Sequence, residues 1–130
     1  MTTAAPRIHA SDIALVFVGG TIGTAARLAV TLWLGAGAGL AVVNIAGAFL
    51  LGVLTAVLTR SASERNRRAN LLLGTGALGG FTTYSALAVA GADLAWLLFA
   101  ALIALAGVMA AALGFALGGG FGGAQKRGGS

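Results

Sequence analysis

The chain has no cysteine, a single proline, one histidine and three acidic residues in a length of 130. The absence of cysteine excludes a disulfide framework and any thiolate metal site. His9, Asp12, Glu64 and Asp93 stand at the ends of apolar runs or between them. That inventory builds no carboxylate pair, no metal-ligand cluster and no nucleophile–base set, so hydrolase and transferase chemistry is not expected. There is also no phosphate-binding glycine loop of the kind that drives a nucleotide-fuelled pump. Only 8% of the residues are charged, against about 25% in a soluble domain.

What is present is hydrocarbon: 58% of the residues are hydrophobic. Apolar runs occupy residues 13–34, 40–58, 71–90 and 94–117. Each is close to the roughly 20 residues a helix needs to cross a bilayer core, and backbone in lipid must satisfy its own hydrogen bonds. The expectation is an all-α integral membrane subunit of four transmembrane helices. Residues 1–12 form an N-terminal segment, 13–117 the transmembrane domain, and 118–130 a Gly-rich basic tail expected to be disordered. The short links "GAGAG", "TRSASERNRRAN" and "GAD" are read as loops. Arg7 ahead of an apolar run also suggests a secretory leader, but the run at 13–34 exceeds the usual h-region of about 7–15 residues. So small a bundle encloses little interior, so an oligomer is expected. Gly47, Gly52, Gly107 and Gly114 are candidates for close helix contacts.

The net charge is +5, and the basic residues are not interleaved with aromatics, so no nucleic-acid partner is expected. In a membrane chain such an excess bears on topology and anionic lipid. Four crossings would place both ends and the middle link on one face, with Arg7, Arg60, Arg65, Arg67, Arg68, Lys126 and Arg127. The other face keeps Arg27 and Asp93. This asymmetry predicts a multi-pass protein of the cell membrane with cytoplasmic N- and C-termini.

Polar groups at membrane depth are costly and mark function by default. Asn44 is the one polar side chain of the second run with an amide, able to donate and accept. It either binds a neighbouring helix or lines a polar path. Arg27 either snorkels to the interface or supplies charge to an aqueous vestibule. In "GALGGFTTYS", Gly79, Gly80, Thr82, Thr83, Tyr84 and Ser85 favour a local break in the third helix. Such a break is tolerated only inside protein or beside a polar cavity. Its freed carbonyls suit a desolvated alkali cation and its freed N–H groups suit an anion. The alternative is a Gly/Thr packing face.

"GGTIGTAARL", "NIAGAFLLG", "GALGGFTTYS" and the Gly107/Gly114 spacing, in this order, resemble the Fluc/CrcB family of fluoride channels. The resemblance covers nearly the whole chain. It implies a four-helix subunit with a broken third helix, assembled as an antiparallel dimer with two fluoride pores. It also implies export of fluoride down its electrochemical gradient. A structural sodium ion at the dimer centre would be held by the backbone carbonyls of Gly79 and Thr82. The fluoride pathway would include Asn44, Tyr84 and Ser85, with Arg27 in the vestibule. Several positions depart from the family pattern. Where it has two phenylalanines this chain has Tyr84 and Leu87, with Ala86 replacing the threonine between them. Leu40 replaces a threonine, and Phe99 and Ile103 stand for a tyrosine and a serine. These losses, with the one-sided charge, suggest one half of a heterodimeric channel, either conducting or serving as a non-conducting partner. A small multidrug-resistance-type exporter would need a carboxylate in mid-membrane, which none of the runs supplies.

Overall fold

A computed structural model describes residues 9–83 and 93–119. Among the described residues all regular structure is helical. Helix α1 spans Ala10–Leu34 and α2 spans Ala36–Leu58. Helix α3 (Glu64–Ala69) runs without interruption into a π-helix at Asn70–Leu78 and a last turn, α4, at Gly79–Phe81. These three form one composite helix. Helix α5 spans Leu94–Leu117.

The links are shorter than the composition suggests. "GAGAG" breaks only at Gly35, whose φ of 81° is a region where L side chains are strained. One such residue reverses the chain, and α2 starts at once. Gly39 then packs against the Thr31 backbone, closing an antiparallel hairpin. In "TRSASERNRRAN" only the first half is a loop. Ser63 accepts the Asn66 N–H at 3.1 Å as an N-cap, and Glu64 follows in the first turn, where a negative charge suits the helix dipole.

Three helices among the described residues, α1, α2 and α5, are long and apolar enough to cross a membrane. The expected count was four. The composite helix spends its first turns on charged residues and stops at Phe81. Its apolar part is therefore only about 16 Å long at 1.5 Å per residue, short of a ~30 Å core. The rest of the expected third run, residues 84–90, lies outside the described residues.

The helices pack as two parallel pairs joined back to back. Along α1, Gly19 meets the Leu72 carbonyl and Gly23 the Ala77 carbonyl, so no side chain fits at either position. Along α2, Gly52 lies against the Ala111 carbonyl, and Gly114 of α5 lies against that of Phe49. Association in lipid rests on such close approach rather than on hydrophobic drive. The core of the chain is small: Leu40, Val43, Ala56 and Ile103 are its buried hydrophobic residues among those described. Large side chains point outward instead, with Trp33 at 86% and Leu117 at 70% exposure, as suits contact with lipid or a second subunit.

Candidate functional site

The site is the end of the composite helix. Thr82 still donates its N–H to the Leu78 carbonyl at 3.0 Å, and its hydroxyl donates to the same oxygen at 3.0 Å. At Thr82 the backbone turns extended, with φ −75° and ψ 154°. The Thr83 N–H, whose α-helical acceptor would be the Gly79 carbonyl, goes to Asn44 Oδ1 at 3.0 Å. The helix thus ends where α2 offers its last donor another acceptor.

The amide of Asn44 is held at both ends. Its Nδ2 donates to the Leu40 carbonyl at 2.8 Å while Oδ1 accepts from Thr83. Only one orientation of the amide satisfies both. Beside it, Gly47 leaves room for the break: a Cβ there would sit 2.5 Å from Thr82 Cγ2 and 3.1 Å from the Phe81 ring. On the opposite side, Thr24 donates to the Gly80 carbonyl at 3.4 Å. Gly80 faces α1, whereas a Cβ on Gly79 would meet only the Gly74 carbonyl at 3.8 Å. Gly79 therefore lies on the outside of the helix bundle, and its carbonyl has lost its α-helical donor. Neutral backbone oxygens are hard donors that replace the hydration shell of an alkali cation. The backbone oxygens of Gly79 and Thr82 fit a sodium ion in donor chemistry.

The remaining sequence-derived positions are dispersed. Arg27 is half-buried on α1, one turn beyond the contact of Gly23 with Phe81, and its carbonyl accepts the Thr31 hydroxyl at 2.8 Å. Tyr84, Ser85, Ala86 and Leu87 lie outside the described residues. Phe99 packs edge-on against Trp96, centroids 5.4 Å apart. Leu40 and Ile103 are buried at 8% and 4% exposure, so both of these departures are hydrocarbon in the core.

Sequence reasoning missed an ion cluster at the other end of α1. Asp12, treated there as an acid at a span end, is buried in the first turn. Arg67 grips it with two 3.0 Å bonds, Nη1 to Oδ2 and Nη2 to Oδ1. The same guanidinium binds Glu64 at 2.9 and 2.8 Å, and Arg68 adds a third bond to Glu64 at 3.1 Å. Arg67 chiefly, with Arg68, holds the Glu64 carboxyl down at about 2, and Arg67 is raised in turn by its two acids. The Glu64/Arg67 and Glu64/Arg68 spacings are legible as i,i+3 and i,i+4 pairs; the Asp12 contact is not.

A cavity of about 400 Å³ lies beside this cluster, lined by Thr55, Thr59, Ser61, Ser63, Asn66 and Arg67 among others. Several of its donors are already engaged. Thr55 and Thr59 donate to carbonyls of their own helix, Asn66 Nδ2 donates to the Leu58 and Ser61 carbonyls, and Arg67 serves its two carboxylates.

The family model described as "CrcB-like protein, Camphor Resistance (CrcB)" matches residues 14–121. The chain belongs to the CrcB family. It is 46% identical over 88 residues to "Fluoride-specific ion channel FluC 2" of Leifsonia xyli, covering 63% of this chain and 61% of that protein. A relative of the same name from Halobacterium salinarum is 42% identical over 89 residues, covering 68% of this chain and 70% of that one. "Fluoride-specific ion channel FluC 1" of Cutibacterium acnes is 42% identical over 84 residues, covering 59% of each. This CrcB-family chain thus matches about three fifths of the length of two of these three relatives. No solved structure matches it.

Proposed function

We propose that the chain is a subunit of a fluoride-specific channel of the cell membrane that lowers cytoplasmic fluoride by letting it leave down its electrochemical gradient. The observation that carries this reading is the helix end at Thr82, clamped by Asn44, in a chain of a family whose relatives are named fluoride-specific channels. Two such subunits would meet in antiparallel fashion, with a sodium ion between the Gly79 and Thr82 carbonyls of both. Asn44, Tyr84 and Ser85 would line the fluoride path, with Arg27 drawing the anion to its mouth. A subunit with so one-sided a Lys/Arg distribution inserts in one orientation, so its antiparallel partner would be a different chain of opposite bias. Relatives bearing the numbers 1 and 2 fit that arrangement.

The test is fluoride efflux from liposomes loaded with the anion. Co-reconstitution with the partner chain is expected to give efflux that chloride does not follow. Full efflux from this chain alone would refute the heteromeric reading and leave the channel reading standing. A second reading, a non-conducting structural partner, is favoured by Leu40 and Ile103. They place buried hydrocarbon where the resemblance implies hydroxyls, and a dry anion needs such partners. Efflux that survives an inactivated partner pore would decide for conduction.

A further inference from the structure

We propose that Asn44 is a positioning residue for the cation site, acting through the backbone rather than by touching the ion. The inference rests on the sodium reading of Gly79 and Thr82. It begins with the Thr83 N–H, a donor that cannot be left unpaired at membrane depth. Two acceptors compete for it. One is the Gly79 carbonyl, four residues back, which would continue the helix. The other is Asn44 Oδ1, which takes it at 3.0 Å. While Asn44 holds the donor, the helix stays open and the Gly79 carbonyl stays clear of its helical partner. Removing the amide returns the donor to Gly79, closes the turn and withdraws an oxygen from the cation.

The surroundings make Asn44 a stiff clamp. Its Nδ2 is tied to Leu40 at 2.8 Å, and its neighbour Val43 is fully buried. Gly47, on the same side of α2, lets Phe81 and Thr82 come close enough for the bond to form. After donation to Leu40, one Nδ2 hydrogen remains for a passing anion. The amide oxygen thereby sets the cation site, and one amide hydrogen is left over. An Asn that served only as an anion ligand would leave the backbone at Thr82 unaffected when replaced.

Two variants separate these roles in the full chain, reconstituted in lipid nanodiscs with its partner where one is required. Asn44→Ala removes the acceptor. Asn44→Asp keeps an oxygen for Thr83 whether or not the carboxyl is ionised. The first readout is the Thr82 Cα and Cβ chemical shifts. They are expected to be extended in the wild type and in Asn44→Asp, and to move to helical values in Asn44→Ala. The second is the sodium concentration that half-maximally raises thermal stability. It is expected to rise about tenfold in Asn44→Ala, the size of one net buried hydrogen bond, and to stay equal or fall in Asn44→Asp. Extended shifts in Asn44→Ala overturn the proposal, as do helical shifts in Asn44→Asp, which decides the matter if the alanine variant does not fold. A wild type indifferent to sodium refutes the cation site instead, and the Thr82 shifts still judge the clamp.

Discussion

In the α2–α5 pair, Gly52 and Gly114 strip side chains from a contact between two unbroken helices. In the pair of α1 and the composite helix, Gly19, Gly23 and Gly80 do the same, yet that contact ends in a helix that stops. Both pairs are glycine-rich and both put backbone against backbone. The difference is what stands opposite. Gly107 of α5 looks onto the Ala48 methyl, with no polar side chain among the nearest described atoms. The composite helix meets Asn44, which accepts the Thr83 N–H. Glycine lowers the cost of leaving the helix by up to about 1 kcal/mol per residue, but in a membrane a freed donor must go somewhere. Glycine permits the break, and the facing amide takes the donor that the break frees.

The pairs also differ at their ends. Arg60 at the end of α2 donates to the Gly118 carbonyl just past α5, one cation capping one helix. The α1–composite pair is pinned by Asp12, Arg67, Glu64 and Arg68, a chain of alternating charge. The pair that carries the break is the one anchored by ions at its regular end.

The comparison is broken most strongly by filling the glycine contacts. Gly23→Val and Gly114→Val each drive a side chain into a backbone carbonyl that cannot yield. Both are expected to lose about 3 kcal/mol or more, read as loss of folded protein on size-exclusion chromatography. Gly107→Ala, with its neighbour 3.8 Å away, is expected to fold normally. Equal damage at all three positions would mean that close approach is not what distinguishes them.

A middle-sized effect tests the buried hydrocarbon of the α2–α5 pair. Leu40→Thr combined with Ile103→Ser puts hydroxyls into the core, and unless they find partners this costs about 1–3 kcal/mol. If the chain forms the proposed fluoride path and buried hydrocarbon closes it, fluoride efflux rises in the double variant. Unchanged efflux places the limiting step elsewhere.

The smallest effect is on the ion cluster. The Glu64 carboxyl sits at about 2, below its ordinary 4.5. A depressed acid stabilises the folded state above its unfolded pKa, and that contribution fades as pH falls from about 4.5 through about 2. Hydrogen exchange measured down this range is expected to loosen the α1–composite pair before the α2–α5 pair. Arg67→Lys, which keeps the charge but loses the two-pronged grip, is expected to give the same order at neutral pH. Simultaneous loosening of both pairs would make the cluster irrelevant to the difference between them.

Much of this was legible along the chain. The apolar runs marked α1, α2 and α5 to within a few residues, because a helix across lipid is written locally in length and hydropathy. The stretch "GGFTT" marked where the composite helix stops, since glycine and threonine weaken a helix wherever they stand. The start of that helix was legible too, in Ser63 followed by Glu64, and was obscured by the charges that made the segment resemble a loop. What the sequence by itself determined was the material: an all-helical, membrane-embedded chain with one weak point. Only the tertiary structure decided that Asn44, 39 residues from Thr83, takes the donor at the end of the helix, and that Asp12, 55 residues from Arg67, pairs with its first turns. Propensity and period describe neighbours on one helix; a hydrogen bond between helices depends on which faces meet, and glycine packing sets that only when the helices come together.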